Sequence, residues 1–297
     1  MDIISSIKKL KVGDVLDNVN LVKYNTYRVN ANAKAIVFPK NVECLKKLLT
    51  FLKENNVKHK ILGNGSNLVF NKFYDGVLIK LDKFDDVKIE GNVITVGAGY
   101  NLVKLAFKAA KESLTGLEFA SGIPGTVGGA IYMNAGAYKS DMGYIVKDVT
   151  ILTPENEIKV LSNKEMDFHY RTSYLQKNKG NICLETTLVL TKGKKEAILE
   201  VIADRKQRRL ESQPLEFPSA GSVFRNPEND YAGRLIEELG YKGKRKGDAK
   251  VSEKHANFII NVGKASGEDI KSLILEIQNE VEKKYKVKLK IEQEFVD

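Results

Sequence analysis

The sequence predicts an α+β protein of two or three modules sharing interfaces. Three observations carry this expectation: 297 residues outgrow one ordinary core, strand-like runs alternate with amphipathic helices, and Pro214 and Pro218 punctuate the approach to a last module. Apolar residues make up 42% of the chain, enough to fill more than one core.

In the first third, Thr26 to Val29 and Ala35 to Phe38 read as strands, and Pro39 closes the second. Asn41 then caps a helix with Val42, Leu45, Leu48, Leu49 and Leu52 on one face. The strand Lys60 to Leu62 runs into the loop Gly63 to Asn67 and leaves through Leu68 to Phe70, and Gly76 to Ile79 continues the pattern. The middle opens on the strand Val93 to Val96, turns at Gly97 and Gly99, and enters a helix at Asn101 with Leu102, Leu105, Ala106 and Ala109 inward. Beyond a glycine-rich stretch, Val146 to Leu152, Phe168 to Tyr170 and Ile182 to Leu190 read as strands. A helix from Lys195 then leads through a basic run, Arg205 to Arg209, to the two prolines. The last part holds a helix from Asp230 to Gly240 and the strand Asn257 to Asn261. It ends in a long helix opened by the capping box Ser266 to Asp269, burying Ile270, Leu273, Ile274, Ile277 and Val281.

The net charge of +10 comes from 48 Lys and Arg against 38 acids, scattered rather than gathered, with no zinc-finger spacing or RNA-recognition signature. Nucleic acid is therefore not the expected partner, although a diffuse positive field favours small polyanions such as nucleotides. Cys44 and Cys183 lie far apart and lack metal-ligand spacing, so neither a disulfide framework nor a metal site is expected, and a reducing compartment fits. The start, Met1 to Lys9, lacks the pattern of a secretory signal, which makes the cytoplasm the expected location. Phe119 to Tyr138, the longest charge-free stretch, is too rich in glycine for a membrane helix, so no membrane insertion is expected. Nothing indicates an obligate protein partner.

Two glycine-bearing segments stand out. Gly63-Asn64-Gly65-Ser66-Asn67 follows a strand, and its paired glycines permit positive φ and expose amides able to cradle a diphosphate. It lacks the Gly-Lys-Ser/Thr ending of a Walker loop and the third glycine of a dinucleotide fingerprint, and a tight turn between strands explains the same residues. The second runs from Gly122, Ile123, Pro124 and Gly125 through Gly128, Gly129 and Ala130 to Asn134 and Gly136. Five glycines in an uncharged run suit a flat ligand lying on backbone, or equally close packing of a helix on a sheet. The basic loop Lys242 to Gly247 reads as mobile surface or as a phosphate contact. No Gly-x-Ser-x-Gly elbow supports a serine hydrolase.

Taken together, Asn25-Thr26-Tyr27-Arg28, the Gly63 to Asn67 loop, the Gly122 to Gly129 run, Tyr170-Arg171, Gly221 to Pro227 and Ser252 to Phe258 resemble the UDP-N-acetylenolpyruvoylglucosamine reductase family. The match runs in order along nearly the whole chain. The short interval from Tyr138 to Tyr170 resembles the compact subgroup that lacks an inserted substrate-capping loop.

The resemblance implies a two-module FAD-binding unit of the vanillyl-alcohol-oxidase (PCMH) type, residues 1–80 and 81–203. A substrate-binding α+β domain, residues 204–297, follows, with its final strand returning towards the flavin. It implies reduction, by NADPH through FAD, of the enolpyruvyl group of a UDP-linked sugar in peptidoglycan synthesis. Gly63 to Asn67 would hold the FAD diphosphate and the Gly122 to Gly136 run would lie along the flavin. His59, His169 and His255 and the two cysteines lie outside both glycine segments, which points to non-covalent FAD. No separate nicotinamide fingerprint is visible, so the dinucleotide is expected to visit the same pocket in turn.

Hydride addition to the enolpyruvyl double bond leaves negative charge beside a carboxylate. The resemblance assigns Arg171 to grip that carboxylate, Ser222 to donate the proton, and Glu294 to assist. The end of the chain departs from the family's Glu-Val-Arg pattern, and Glu292 shares a strand face with Glu294, so spacing leaves both open. Tyr170, Arg225, Asn226, Arg234 and His255 are the candidate contacts to sugar and UDP phosphates. Two other readings stand beside this one: a sugar or hydroxy-acid oxidase of the same wider fold, and a nucleotide-binding protein with no redox role.

Overall fold

Alternating apolar residues build the main sheet of the structure, a computed structural model that describes residues 3–297. Five strands lie in the order Ile158–Ser162, Val146–Leu152, Ile182–Val189, Val93–Gly97 and Val87–Glu90, each antiparallel to its neighbours. Every second side chain points to one face, so Ile94 lies opposite Leu188 and both are fully buried.

Contacts divide the chain into two units, neither contiguous in sequence. The first takes residues up to Leu16 with 35–63 and 77–207; the second takes residues 17–34, 64–76 and 208–297. The chain passes between them inside the strands Gly13–Asn20, Asn32–Pro39 and Phe73–Ile79, in the loop after Gly63, and inside the helix Lys195–Ser212.

In the first unit, the helices Val42–Glu54 and Leu102–Lys111 form where periodicity and caps place them. Asn41 accepts the Cys44 amide and Asn101 the Lys104 amide, each at 2.9 Å, satisfying donors that a helix start leaves over. Their apolar faces, Leu45, Leu48 and Leu52 in one and Leu105, Ala106 and Ala109 in the other, join a single core. The strand His59–Ile61 pairs in parallel with Val77–Ile79.

Two expected strands are turns. Phe168 to Tyr170 follows a short helix, Asn163–Met166, whose cap Asp167 is left-handed (φ 47°). His169 and Thr172 then exchange backbone hydrogen bonds of 3.0 Å across a two-residue turn carrying Tyr170 and Arg171. In the second unit, Thr26 to Val29 has no ladder because Asn25 supplies the bonds instead. Its side chain donates to the carbonyls of Leu21 and Val29 and accepts the Val29 amide.

The second unit packs the helices Ala232–Glu238 and Gly267–Tyr285 with the antiparallel strands Arg245–Lys246, Ala249–Val251 and Ile259–Asn261. The basic loop is half of this hairpin. Lys242 pairs with Glu237, Lys246 with Glu276, and Lys244 sits 3.7 Å from the centre of the Tyr241 ring. The last strand, Glu294–Val296, lies parallel to Leu68–Phe70.

Gly267 opens the long helix against that second strand: a Cβ there would lie 1.8 Å from the Phe70 carbonyl oxygen. Helix propensity alone favours alanine over glycine by about 1 kcal/mol. Gly267→Ala is nevertheless expected to lower stability by about 1–3 kcal/mol through the forced shift, read as a reduced urea midpoint.

Candidate active site

In the first unit Gly63, which opens the first glycine segment, meets Thr126 of the second. A Cβ on Gly63 would lie 2.9 Å from Thr126 Oγ1, so the start of the first loop is held against the residue that caps the helix Val127–Met133. That helix is what the second run builds, and sequence reading missed it. Gly128 lets it approach the end of the strand Val93–Gly97: a Cβ would lie 2.9 Å from that of Ala98, and the Gly128 amide donates to the Ala98 carbonyl at 2.8 Å. Lys80, 6% exposed, was not singled out by sequence. Its ammonium donates to the Gly63 carbonyl at 2.7 Å and pairs with Asp82 at 3.2 Å.

The helix ends at Asn134, left-handed at φ 43° and buried. The Asn134 amide donates to the His169 carbonyl and accepts the Gly143 N–H, each at 2.9 Å, tying the glycine run to the Tyr170–Arg171 turn. Arg171 has φ 55°, uncommon for a side-chain-bearing residue, and its guanidinium donates to the Gly136 carbonyl at 2.9 Å. Tyr170, half exposed, lies beneath it with 5.1 Å from guanidinium carbon to ring centre. An open cavity of about 580 Å³ beside this turn is lined by Asn134, Tyr144, Lys164, His169 and Tyr170 among others.

In the second unit the segment from Ser222 to Arg225 is gripped from two sides. On one, Asn257 accepts the Val223 amide on its carbonyl at 2.9 Å, and its side chain bonds both the N–H and the carbonyl of Phe224. On the other, the Arg225 amide donates to Lys290 at 2.9 Å and the Glu292 amide to Val223 at 2.8 Å. The strand then crosses to the diphosphate-loop candidate: Glu294 N–H donates to the Asn67 carbonyl at 2.9 Å, and the Asn67 side chain to the Glu292 carbonyl at 3.0 Å. Ser222, both glutamates and Asn67 are thus neighbours in one hydrogen-bonded array. Glu292 is in register with the residue after Ser222, and Glu294 with the loop.

The remaining candidates in this unit have local partners. Asn226 accepts the Ala232 amide at 3.1 Å, at the start of a helix. Arg234 is taken by its own helix, with Asp230 one turn before it and Glu238 one turn after; the guanidinium holds the Asp230 carboxyl down to about 2. His255 accepts the Asn257 amide on Nδ1 at 3.2 Å and packs on Phe258, and burial lowers its pKa. In the first unit, burial pushes the Cys183 thiol up to about 12, which removes it as a nucleophile near neutrality.

Comparison with known proteins decides the family. Residues 213–296 match the model of the UDP-N-acetylenolpyruvoylglucosamine reductase C-terminal domain, and residues 33–162 match an FAD binding domain. UDP-N-acetylenolpyruvoylglucosamine reductases of Halalkalibacterium halodurans and Bacillus subtilis are each 43% identical over 296 residues, covering 99% of this chain and 98% of theirs. The chain belongs to the UDP-N-acetylenolpyruvoylglucosamine reductase family. The reductase of Anoxybacillus flavithermus is 46% identical over 287 residues, covering 96% and 95%. The crystal structure of the Thermus caldophilus reductase of this family superposes with a TM-score of 0.82 at 34% identity, covering 96% of this chain and 99% of that one. A glucose dehydrogenase, Phl p 4.0202, shares the fold at a TM-score of 0.50 and 15% identity, over 65% of this chain and 44% of its own. Like other members of the reductase family, the protein is an FAD-containing oxidoreductase of peptidoglycan synthesis, built on the expected PCMH-type α+β fold.

The loop fits an FAD diphosphate. Among the described residues, the amides of Asn64, Gly65 and Ser66 meet no acceptor, and the side chains of Asn64 and Ser66 have no partner. Thr26, whose amide donates to the Gly65 carbonyl at 3.3 Å, has a buried hydroxyl with no hydrogen-bond partner. Buried donors are rarely left over without a ligand to receive them.

Gly63→Ala is expected to push the loop from Thr126 and weaken FAD binding to the apoprotein by about tenfold, read by flavin fluorescence. For His255, a lowered folded pKa means that the unfolded chain binds more protons just below pH 6.5. Stability is therefore expected to fall as pH drops from 6.5 towards the folded value, and His255→Gln to flatten that slope in urea titrations.

Proposed function

We propose that the protein reduces the enolpyruvyl group of UDP-N-acetylglucosamine enolpyruvate to UDP-N-acetylmuramate, using NADPH, in the cytoplasm. The one observation that most supports this reading is the array joining Ser222, the glutamate strand and Asn67, since it sets a proton donor beside the loop suited to the flavin diphosphate. FAD, held without a covalent link, would supply the hydride-transfer chemistry between nicotinamide and enolpyruvyl group.

The chain's own groups do the rest. Asn64, Gly65 and Ser66 would donate amides to the diphosphate, with the Thr26 hydroxyl as a further donor, and the Gly122 to Gly136 run would hold the ring system. Arg171 holds the substrate carboxylate, and its contact strengthens as negative charge develops on the neighbouring carbon. Ser222 Oγ delivers the proton to that carbon. A hydroxyl is a weak acid, but the acceptor is far more basic, so placement rather than acidity governs the step. Tyr170, Arg225, Asn226 and His255 contact the sugar and UDP. Arg234, whose charge is met by Asp230 and Glu238, contributes there only if substrate displaces one of them.

Of the two carboxylates left open by sequence, Glu294 is read as the one that assists Ser222: its amide bonds Asn67 in the loop suited to the diphosphate, whereas Glu292 stands opposite Val223, whose side chain alternation turns away from that of Ser222. Glu292 is the second candidate.

The test is anaerobic. NADPH should bleach the bound flavin, and UDP-N-acetylglucosamine enolpyruvate should restore its colour with formation of UDP-N-acetylmuramate. Failure of that nucleotide to restore colour, with oxygen doing so rapidly in the presence of a hydroxylated sugar, would overturn the reading in favour of an oxidase. Ser222→Ala should leave bleaching nearly intact and slow recovery at least about 100-fold. Glu294→Gln should slow recovery about tenfold more than Glu292→Gln; the reverse order gives the role to Glu292.

A further inference from the structure

The buried amide of Gln293 meets the turn that carries Ser222, and sequence reading gave it no role. Gln293 lies between the two candidate glutamates, at a bend just before the last strand, and is buried where they are only partly so. It is 4% exposed. Its Oε1 accepts the hydroxyl of Tyr27, itself fully buried, at 2.9 Å. Its Nε2 then faces three successive carbonyl oxygens, of Ala220 at 3.2 Å, Gly221 at 3.3 Å and Ser222 at 3.5 Å. The amide orientation follows from chemistry: an oxygen in place of that nitrogen would repel three carbonyls, and the phenol needs an acceptor.

Besides these contacts, an antiparallel bridge between Ser222 and Phe258 ties down the turn. Gly221 sits at φ 73°, a left-handed conformation, with open space where a Cβ would be, so no neighbouring side chain packs against that point. The Ser222 hydroxyl makes no hydrogen bond to any described residue. What fixes its position is the backbone on either side: Val223, held by Asn257 and Glu292, and the carbonyls gathered by Gln293.

We infer that Gln293, oriented by Tyr27, is a positioning residue that holds the Ser222 hydroxyl at the reacting carbon; this rests on the reading of Ser222 as proton donor. The amide draws the carbonyls of the turn to one point, and the Tyr27 hydroxyl prevents the amide from flipping. Proton delivery to a carbon depends on placement to a fraction of an ångström, and a weak acid such as serine tolerates little misplacement.

The test compares Gln293→Met, which keeps the length of the side chain but not its donor, with Ser222→Ala, the double variant, and Tyr27→Phe. All are purified with FAD bound. Gln293→Met is expected to slow recovery of flavin colour by the enolpyruvyl nucleotide about 10- to 100-fold while changing bleaching by NADPH less than about twofold. Hydrogen exchange of residues 220–224 should accelerate in the substrate-free variant, a readout independent of turnover. Tyr27→Phe should move both quantities in the same direction by less, and serves where Gln293→Met folds poorly.

The double variant separates the possibilities. If Gln293 acts through Ser222, adding Gln293→Met to Ser222→Ala costs nothing further. Additive losses, equal slowing of both half-reactions, or unchanged exchange at 220–224 would each overturn the positioning role. Should Ser222→Ala itself leave recovery intact, the reading of Ser222 fails first and the inference about Gln293 falls with it.

Discussion

The segment Glu292 to Val296, which runs into the last strand of the second unit, bonds on two sides, and the rest of the account depends on both. Its Glu292 amide is given to Val223, next to the candidate proton donor, and its Glu294 amide to Asn67, at the end of the loop suited to a diphosphate. The register protects itself. A slip by one residue would set a glutamate where Gln293 now lies, 4% exposed and against three carbonyl oxygens. An unpaired carboxylate in such a place is strongly disfavoured, so the same contacts that shape the Ser222 turn also fix which side chains face the other way.

The first unit solves a different problem with glycine and a left-handed arginine. Gly63 and Gly128 are small because Thr126 and Ala98 press on them, and these contacts hold Gly63, the helix and the strand end together. Arg171 occupies a conformation that costs about 1–3 kcal/mol, and the surrounding structure holds it there through Asn134, the His169–Thr172 turn and the Gly136 carbonyl. The strain is spent on aiming a guanidinium from a turn, where a strand would have aimed it along the sheet.

Much of this was legible in the sequence, for identifiable reasons. Helices announced themselves by period and cap at Asn41, Asn101 and Ser266, because caps and apolar faces are local. The glycine runs announced a close approach but not its partner: Gly63 meets Thr126 across 63 positions of chain, which no local pattern encodes. Thr26 to Val29 looked like a strand because its residues favour one, yet Asn25 had already supplied the hydrogen bonds that a ladder would provide. The strand Gly13–Asn20 and the assembly of each unit from three separated stretches were likewise out of reach, since only contacts in space define them. Lys80, Asn257 and Gln293 were passed over because a buried lysine or amide in sequence looks like any exposed one; their roles come from backbone atoms far along the chain.

The central claim is that one segment couples the candidate proton-donor turn to the candidate diphosphate loop, and FAD titration of the apoprotein followed by hydrogen exchange tests it most directly. Protection of residues 64–70, 222–225 and 292–296 is expected to rise together along one binding curve. Protection confined to residues 64–67, with the other two segments unchanged at saturating FAD, would contradict it.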